Sequence, residues 1–172
     1  MTEKIVDRPI EGECAPYFFN YIELVQGDHI MTILSDQIRT MQNDLAEVSN
    51  WDYGYAPGKW SIKEVIIHLM DAERVFSYRA MSIARGEKGS LPSYDHNGYM
   101  ENDFSHMQPD QVMEEYKSLR TSTVHLFRGF SDEMWQRSTV VSGHNSKALA
   151  FPYMIAGHQI HHLNILKERY GV

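Results

Sequence analysis

Apolar positions recur with helical spacing in four long stretches of the chain. In the first, Leu34, Ile38, Met41, Leu45 and Val48 follow one another at steps of four, three, four and three, which predicts a helix over 28–48 with Asp28 as its N-cap. The second begins after Trp60. Ser61 and Glu64 form a capping-box pair, and Ile62, Val65, Ile66, Leu69, Glu73, Phe76 and Ala80 line one face until Gly86 and Gly89 end it. The third starts at Pro109, a favourable first-turn residue, and carries Val112, Tyr116, Leu119, Thr123, Leu126 and Phe130 on its buried side, with Gly129 or Ser131 as the stop. The fourth is expected over 146–170, distorted at Pro152 and capped by Gly171.

The connecting segments are of a different kind. Residues 1–20 carry Pro9, Gly12 and Pro16 and read as an irregular arm, pinned to the core by Tyr17, Phe18 and Phe19, with a helical turn expected over 21–25. Residues 86–107 form a long loop, of a length that in a small domain is often functional. The only β-branched run, Ser138–Ser142, is too short to found a sheet. Four amphipathic helices joined by loops predict an all-α four-helix bundle, and 172 residues are the size of one domain.

Composition narrows what the bundle can do. Sixteen basic against twenty-three acidic residues give a net charge of −7, which argues against a nucleic-acid partner. No stretch is apolar enough to span a membrane and the N-terminus lacks a signal-peptide core, so the expectation is a cytoplasmic protein without a membrane partner. Nine histidines stand against one cysteine, Cys14. A metal site here would have to be built from imidazole and carboxylate rather than thiolate.

The densest candidate is the run Gly157-His158-Gln159-Ile160-His161-His162-Leu163. His158 and His162 are four residues apart, about 40° of rotation and one turn of rise, so both imidazoles point the same way. His161 falls more than about 100° from the buried side, towards solvent or a neighbouring subunit. Hydrogen-bonded core histidines and a metal-ligand pair both fit this spacing. A third ligand would be needed, and His68, inside the apolar run Val65–Met70, is the best placed. Glu64 and Asp71 flank His68 by one turn and could orient an imidazole or serve as a general base, as could Asp95 in the long loop. A capping box for Glu64 and an Arg74 pair for Asp71 are the plainer readings. Glu73, on the apolar face, reads as a buried structural acid bonded to Arg79 or a tyrosine. His96 is a candidate to lie over a cleft.

The stretch from Tyr55 to Leu69, with Trp60-Ser61-Ile62 and His68, followed by Asp71-Ala72-Glu73-Arg74 and Tyr78-Arg79, resembles the DinB-like superfamily. So does the terminal Ala156-Gly157-His158-Gln159-Ile160-His161-His162-Leu163-Asn164. The resemblance runs from about Tyr17 to Gly171. It implies a four-helix bundle holding one divalent ion per chain, zinc or nickel, on His68, His158 and His162, with the remaining positions open to water, and it implies a homodimer. It leaves the chemistry divided. Some relatives are thiol S-transferases using bacillithiol or mycothiol, one branch is a thiol-dependent maleylpyruvate isomerase, and others are described only as metal-dependent hydrolases. Three functions follow as expectations: a metal-dependent transferase joining a low-molecular-weight thiol to a small electrophilic substrate, a metal-dependent hydrolase of a small ester or amide, and a non-catalytic metal-stabilised binding protein. With one cysteine in the chain, the sulfur of any thiol chemistry would arrive with a small-molecule cofactor.

Overall fold

The computed structural model describes residues 5–172; the first four residues of the expected N-terminal arm lie outside it. The arm passes through a 3₁₀ turn, Pro16–Phe18, into a one-turn helix α1, Phe19–Ile22. Helical structure thus comes a few residues earlier than the expected turn over 21–25. Pro16, with φ preset for a first turn, accounts for the shift.

Four long helices follow the predicted order: α2 (Ile30–Asp44), α3 (Ile62–Ala84), α5 (Pro109–Arg128) and α7 (Ala150–Ile165). Helix α2 is shorter at both ends than expected. It begins after His29 without a side-chain cap. It ends at Leu45, where the chain tightens into turns such as Val48 N–H to Leu45 O at 3.2 Å. The capping box of α3 is fully formed: Ser61 Oγ accepts from Glu64 N–H at 3.2 Å, and Glu64 Oε2 accepts from Ser61 N–H at 2.7 Å. Gly86, at φ 92°, turns the chain out of that helix.

The start of the last helix differs from expectation. Ser146 belongs to a strand, and α7 begins at Ala150, so Pro152 sits in the first turn. An N–H there would have no intrahelical acceptor, so the proline removes nothing and no interior kink arises. The helix continues through a π-helical turn, Leu166–Tyr170, to Gly171 in the left-handed region.

The segment between α5 and α7 adds a short helix α6 (Asp132–Gln136) and a hairpin of β1 (Ser138–Val141) with β2 (His144–Lys147), antiparallel and in register Val141 to His144. Ser142 and Gly143 both have positive φ, the signature of a tight two-residue hairpin turn. The β-branched run therefore pairs, although it founds no larger sheet among the described residues. The 86–107 loop is tied down rather than free. Leu91 exchanges backbone hydrogen bonds with Val140 and Ser142 at 2.8 and 2.9 Å, and residues His96–Tyr99 form a helical turn, α4.

The apolar core has two lobes. One gathers α1, the C-terminal halves of α3 and α5, and the start of α7; the other gathers Met41, Leu45, the N-terminal half of α3, Tyr116 and the end of α7. Among the described residues no helix is long and apolar enough to cross a membrane.

Candidate metal centre

Helices α3 and α7 bring three imidazoles to one point. His68 comes from the first half of α3, and His158 and His162 from successive turns of α7. His68 Nε2 lies 3.2 Å from His158 Nε2, and His162 Nε2 lies 3.0 Å from it. One potential ligand atom from each lies within 4.8 Å of the others. Trp60 packs on the His68 ring with centroids 4.8 Å apart, and Tyr21 lies against His158 at 5.3 Å. Both fix ring orientation.

Hydrogen bonding alone does not satisfy this arrangement. A neutral imidazole Nε2 is either one donor or one acceptor, so His158 Nε2 cannot make a full bond to both neighbours. A cation removes the conflict, because all three nitrogens then present lone pairs. Two nitrogens about 2.05 Å from a tetrahedral ion stand about 3.3 Å apart, close to the spacings here. The histidines are also held ready. Burial, and after it the nearness of His96, pushes His68 down to about 4. Burial, followed by His68, His161 and His96, pushes His162 down to about 3. Burial and then His162 and His68 hold His158 well below the ordinary imidazole value. At neutral pH all three are uncharged, the state a metal requires.

The cluster opens into a cavity of about 460 Å³. Its walls are largely aromatic, from Tyr17, Phe18, Tyr21, Trp60, Phe76 and Tyr94, and Arg79, Ser93, His96, Ser142 and His161 join the three histidines in the polar part of the lining. His96 takes the place expected for it over a cleft, its ring 5.9 Å from that of His68. His161 does not face open solvent. The docking of α1 half-buries it, with its ring 5.1 Å from Tyr21.

The candidate carboxylates are engaged elsewhere. Glu64 Oε2 is taken by the capping box. Asp71 pairs with Arg74 at 3.4 Å; burial raises its pKa, with Arg74 opposing. Asp95 caps α4 by accepting from Gly98 N–H at 3.0 Å. No Asp, Glu or Cys lines the cavity among the described residues. Cys14 is buried away from it, its thiol pushed up to about 11 by burial and then by Glu13. Glu73 is a buried structural acid as expected, but its partner is Arg120 on α5, not Arg79 or a tyrosine.

A family model described as the DinB superfamily matches residues 30–166, a span that includes all three histidines. The chain belongs to the DinB superfamily. Among solved structures, YfiT from Bacillus subtilis aligns with a TM-score of 0.71 at 18% identity, over 96% of this chain and 94% of that one. It is described as a probable metal-dependent hydrolase with an unusual four-helix bundle topology. At this identity the likeness establishes a shared fold. No curated protein matches the chain.

Two features of this DinB-superfamily site were not read from the sequence. Arg79 lines the cavity, and a helical-wheel count could have found it: eleven residues beyond His68 it returns to within about 20° of the same face. The buried partnership of Glu73 with Arg120 had no such signal, because the two residues lie on helices whose relative rotation a single sequence does not specify.

Proposed function

We propose that this DinB-superfamily chain is a metal-dependent transferase that joins a low-molecular-weight thiol to a small electrophile, with one zinc or nickel ion on His68, His158 and His162. The observation that carries this reading is three neutral, convergent imidazoles opening into a largely aromatic cavity that no carboxylate lines among the described residues. A divalent ion on those nitrogens supplies Lewis acidity, lowering the pKa of a thiol or a water that shares it.

The cavity lining favours the thiol. Activating water for hydrolysis usually enlists a carboxylate base, and Glu64, Asp71 and Asp95 are held by other partners. A thiol needs less help, because its unperturbed pKa is already near 8.5. The chain's own contribution is to hold three lone pairs at one point, to orient His68 through Trp60, and to keep the electrophile between aromatic walls out of bulk water. In the overall reaction the sulfur lone pair forms the new S–C bond, the leaving group departs with its bonding pair, and the thiol proton passes to solvent. Hydrolysis of a small ester or amide is the second reading, favoured by the description of the YfiT fold relative.

Protein purified without a metal-affinity tag should carry about one equivalent of zinc or nickel, absent in His158→Ala. Metal-loaded protein should consume bacillithiol or glutathione in the presence of a chlorinated aromatic, and chelation should abolish that rate. A thiol rate that survives complete metal removal would overturn the mechanism. Metal-dependent ester cleavage without thiol consumption would select the hydrolase.

A further inference from the structure

Two buried arginines of this bundle are treated differently. Arg120, 2% exposed, is paired to the Glu73 carboxylate. Arg79 is 5% exposed and has no carboxylate partner among the described residues. Its Nη2 donates to Pro92 O at 2.7 Å, and its guanidinium stacks on Tyr94 at 5.5 Å. Tyr94 is no counter-ion, since burial pushes its phenol up to about 12 and keeps it neutral, with Arg79 pulling the other way. The donors on Arg79 Nε and Nη1 have no hydrogen-bond partner among the described residues, and Arg79 lines the cavity. A largely desolvated cation without an anion is expensive unless an anion completes it.

Its position says what kind of anion. Among the described residues Arg79 is the only Lys or Arg in the lining. It lies on the His68 face of α3, about three turns further along, about 16 Å by rise, and side chains on a helix lean back toward its N-terminus. The guanidinium and the three histidines therefore occupy two parts of one cavity, with Phe76 between them on α3.

We propose that the cavity binds a small organic monocarboxylate, with the carboxylate on the Arg79 guanidinium and the apolar body between the aromatic walls, extending toward the histidines. Nη2 carries two N–H groups and gives one to Pro92 O, so the second still forms a planar pair with Nε or Nη1 that matches one carboxylate, and the largely aromatic walls disfavour a highly hydrated polyanion. The idea that the far end of this molecule is the reacting end rests on the proposed metal chemistry. The carboxylate subsite itself does not.

Calorimetric titration of benzoate and of neutral benzamide separates the possibilities, using wild type, Arg79→Gln and Arg79→Lys, each with its metal chelated and restored. Benzoate should bind one-to-one in both metal states, at least about tenfold tighter than benzamide. Arg79→Gln should bring benzoate down to the benzamide level, and Arg79→Lys should retain an intermediate affinity. If Arg79→Gln does not fold, the benzoate-to-benzamide contrast in wild type and its reduction in Arg79→Lys decide alone. Equal binding of the two probes to metal-free wild type would overturn the proposal. So would unchanged benzoate affinity in Arg79→Gln, which would leave Arg79 as a tie for the Pro92 loop. Benzoate binding that requires the metal and ignores Arg79 would place the carboxylate on the ion, overturning this subsite while supporting the metal centre. Benzoate binding to a protein that takes up no metal would do the reverse.

Discussion

His158 and Gln159 are consecutive on α7, yet they belong to two buried polar clusters built on opposite principles. Gln159 joins a closed one. Its Oε1 accepts from Arg120 Nη2 at 2.9 Å and from the Tyr116 hydroxyl at 2.7 Å, and its Nε2 donates to Gln37 O at 3.1 Å. Arg120 Nε meets both Glu73 oxygens at 2.9 and 3.0 Å, and Nη1 reaches Gln37 Oε1 at 2.6 Å and Leu34 O at 3.3 Å. Burial works against the Arg120 charge, but Glu73 offsets it and holds the guanidinium above its ordinary value. All four long helices contribute, and the groups satisfy one another. His158 joins an open cluster: three imidazoles whose nitrogens converge without enough complementary donors and acceptors, facing a cavity. The closed cluster specifies how the helices pack. The open one is complete only with something the chain does not supply.

The difference is most exposed by acid. The three histidines have folded pKa values below 6.5, near 4 for His68, near 3 for His162 and well down for His158. Between those values and 6.5 the unfolded chain binds more protons, so stability rises with pH across that window. Their contribution is fully present above about 6.5 and is lost as pH falls toward 4 and 3. Each can add a slope of at most about 1.4 kcal/mol per pH unit, and three together make this the largest effect considered. Urea unfolding of chelator-treated protein between pH 6.5 and 5.5 tests it, since ordinary carboxylates stay ionised there. A flat urea midpoint would mean that the histidines are not buried as neutral groups. His158→Gln should reduce the slope.

The closed cluster should respond to mutation instead. Arg120→Met strands the Glu73 carboxylate without its counter-charge, and removing one member of a buried pair costs about 3–5 kcal/mol. The double variant Arg120→Met/Glu73→Gln should recover part of that loss. In both variants the slope between pH 6.5 and 5.5 should match wild type, because the histidines lie outside the network. A cost below about 1 kcal/mol for Arg120→Met would show that the cluster is not the closed unit described here.

The open cluster could be read in the sequence and the closed one could not, for a physical reason. His158 and His162 lie one turn apart on one helix, so their convergence follows from helical geometry alone, and His68 stands out as a polar residue in an apolar run. The four long helices were equally accessible through their apolar spacing and the Ser61–Glu64 cap. The Arg120 network depends on how α2, α3, α5 and α7 rotate against one another. Gln37 and Arg120 sit beside apolar stripes and look like solvated flank positions until packing buries them. The start of α7 went astray because Pro152 suits either a kink or a first turn, and the β1–β2 hairpin settled which by claiming Ser146.

Gly157 provides a smaller perturbation aimed at one cluster only. It costs helix propensity in mid-helix, and its φ is not in the left-handed region, so conformational freedom does not explain it. Close approach does. A Cβ at this position would overlap the backbone carbonyl of Tyr21, which brings α1 against α7 and sets the Tyr21 ring beside His158 and His161. A backbone carbonyl cannot swing aside as a side chain can, so Gly157→Ala must push α1 outward. Overpacking of this kind costs about 1–3 kcal/mol, and the gain in helix propensity returns up to about 1 kcal/mol. The net loss should lower the melting temperature by a few degrees. The perturbation reaches the open cluster through Tyr21, while Gln159 stays held by Arg120, Tyr116 and Gln37. NMR of metal-free Gly157→Ala should show the imidazole resonances of His158 and His161 displaced and the Arg120 Nε–H resonance near its wild-type position. Equal displacement of both would mean that the two clusters, though built differently, respond as one.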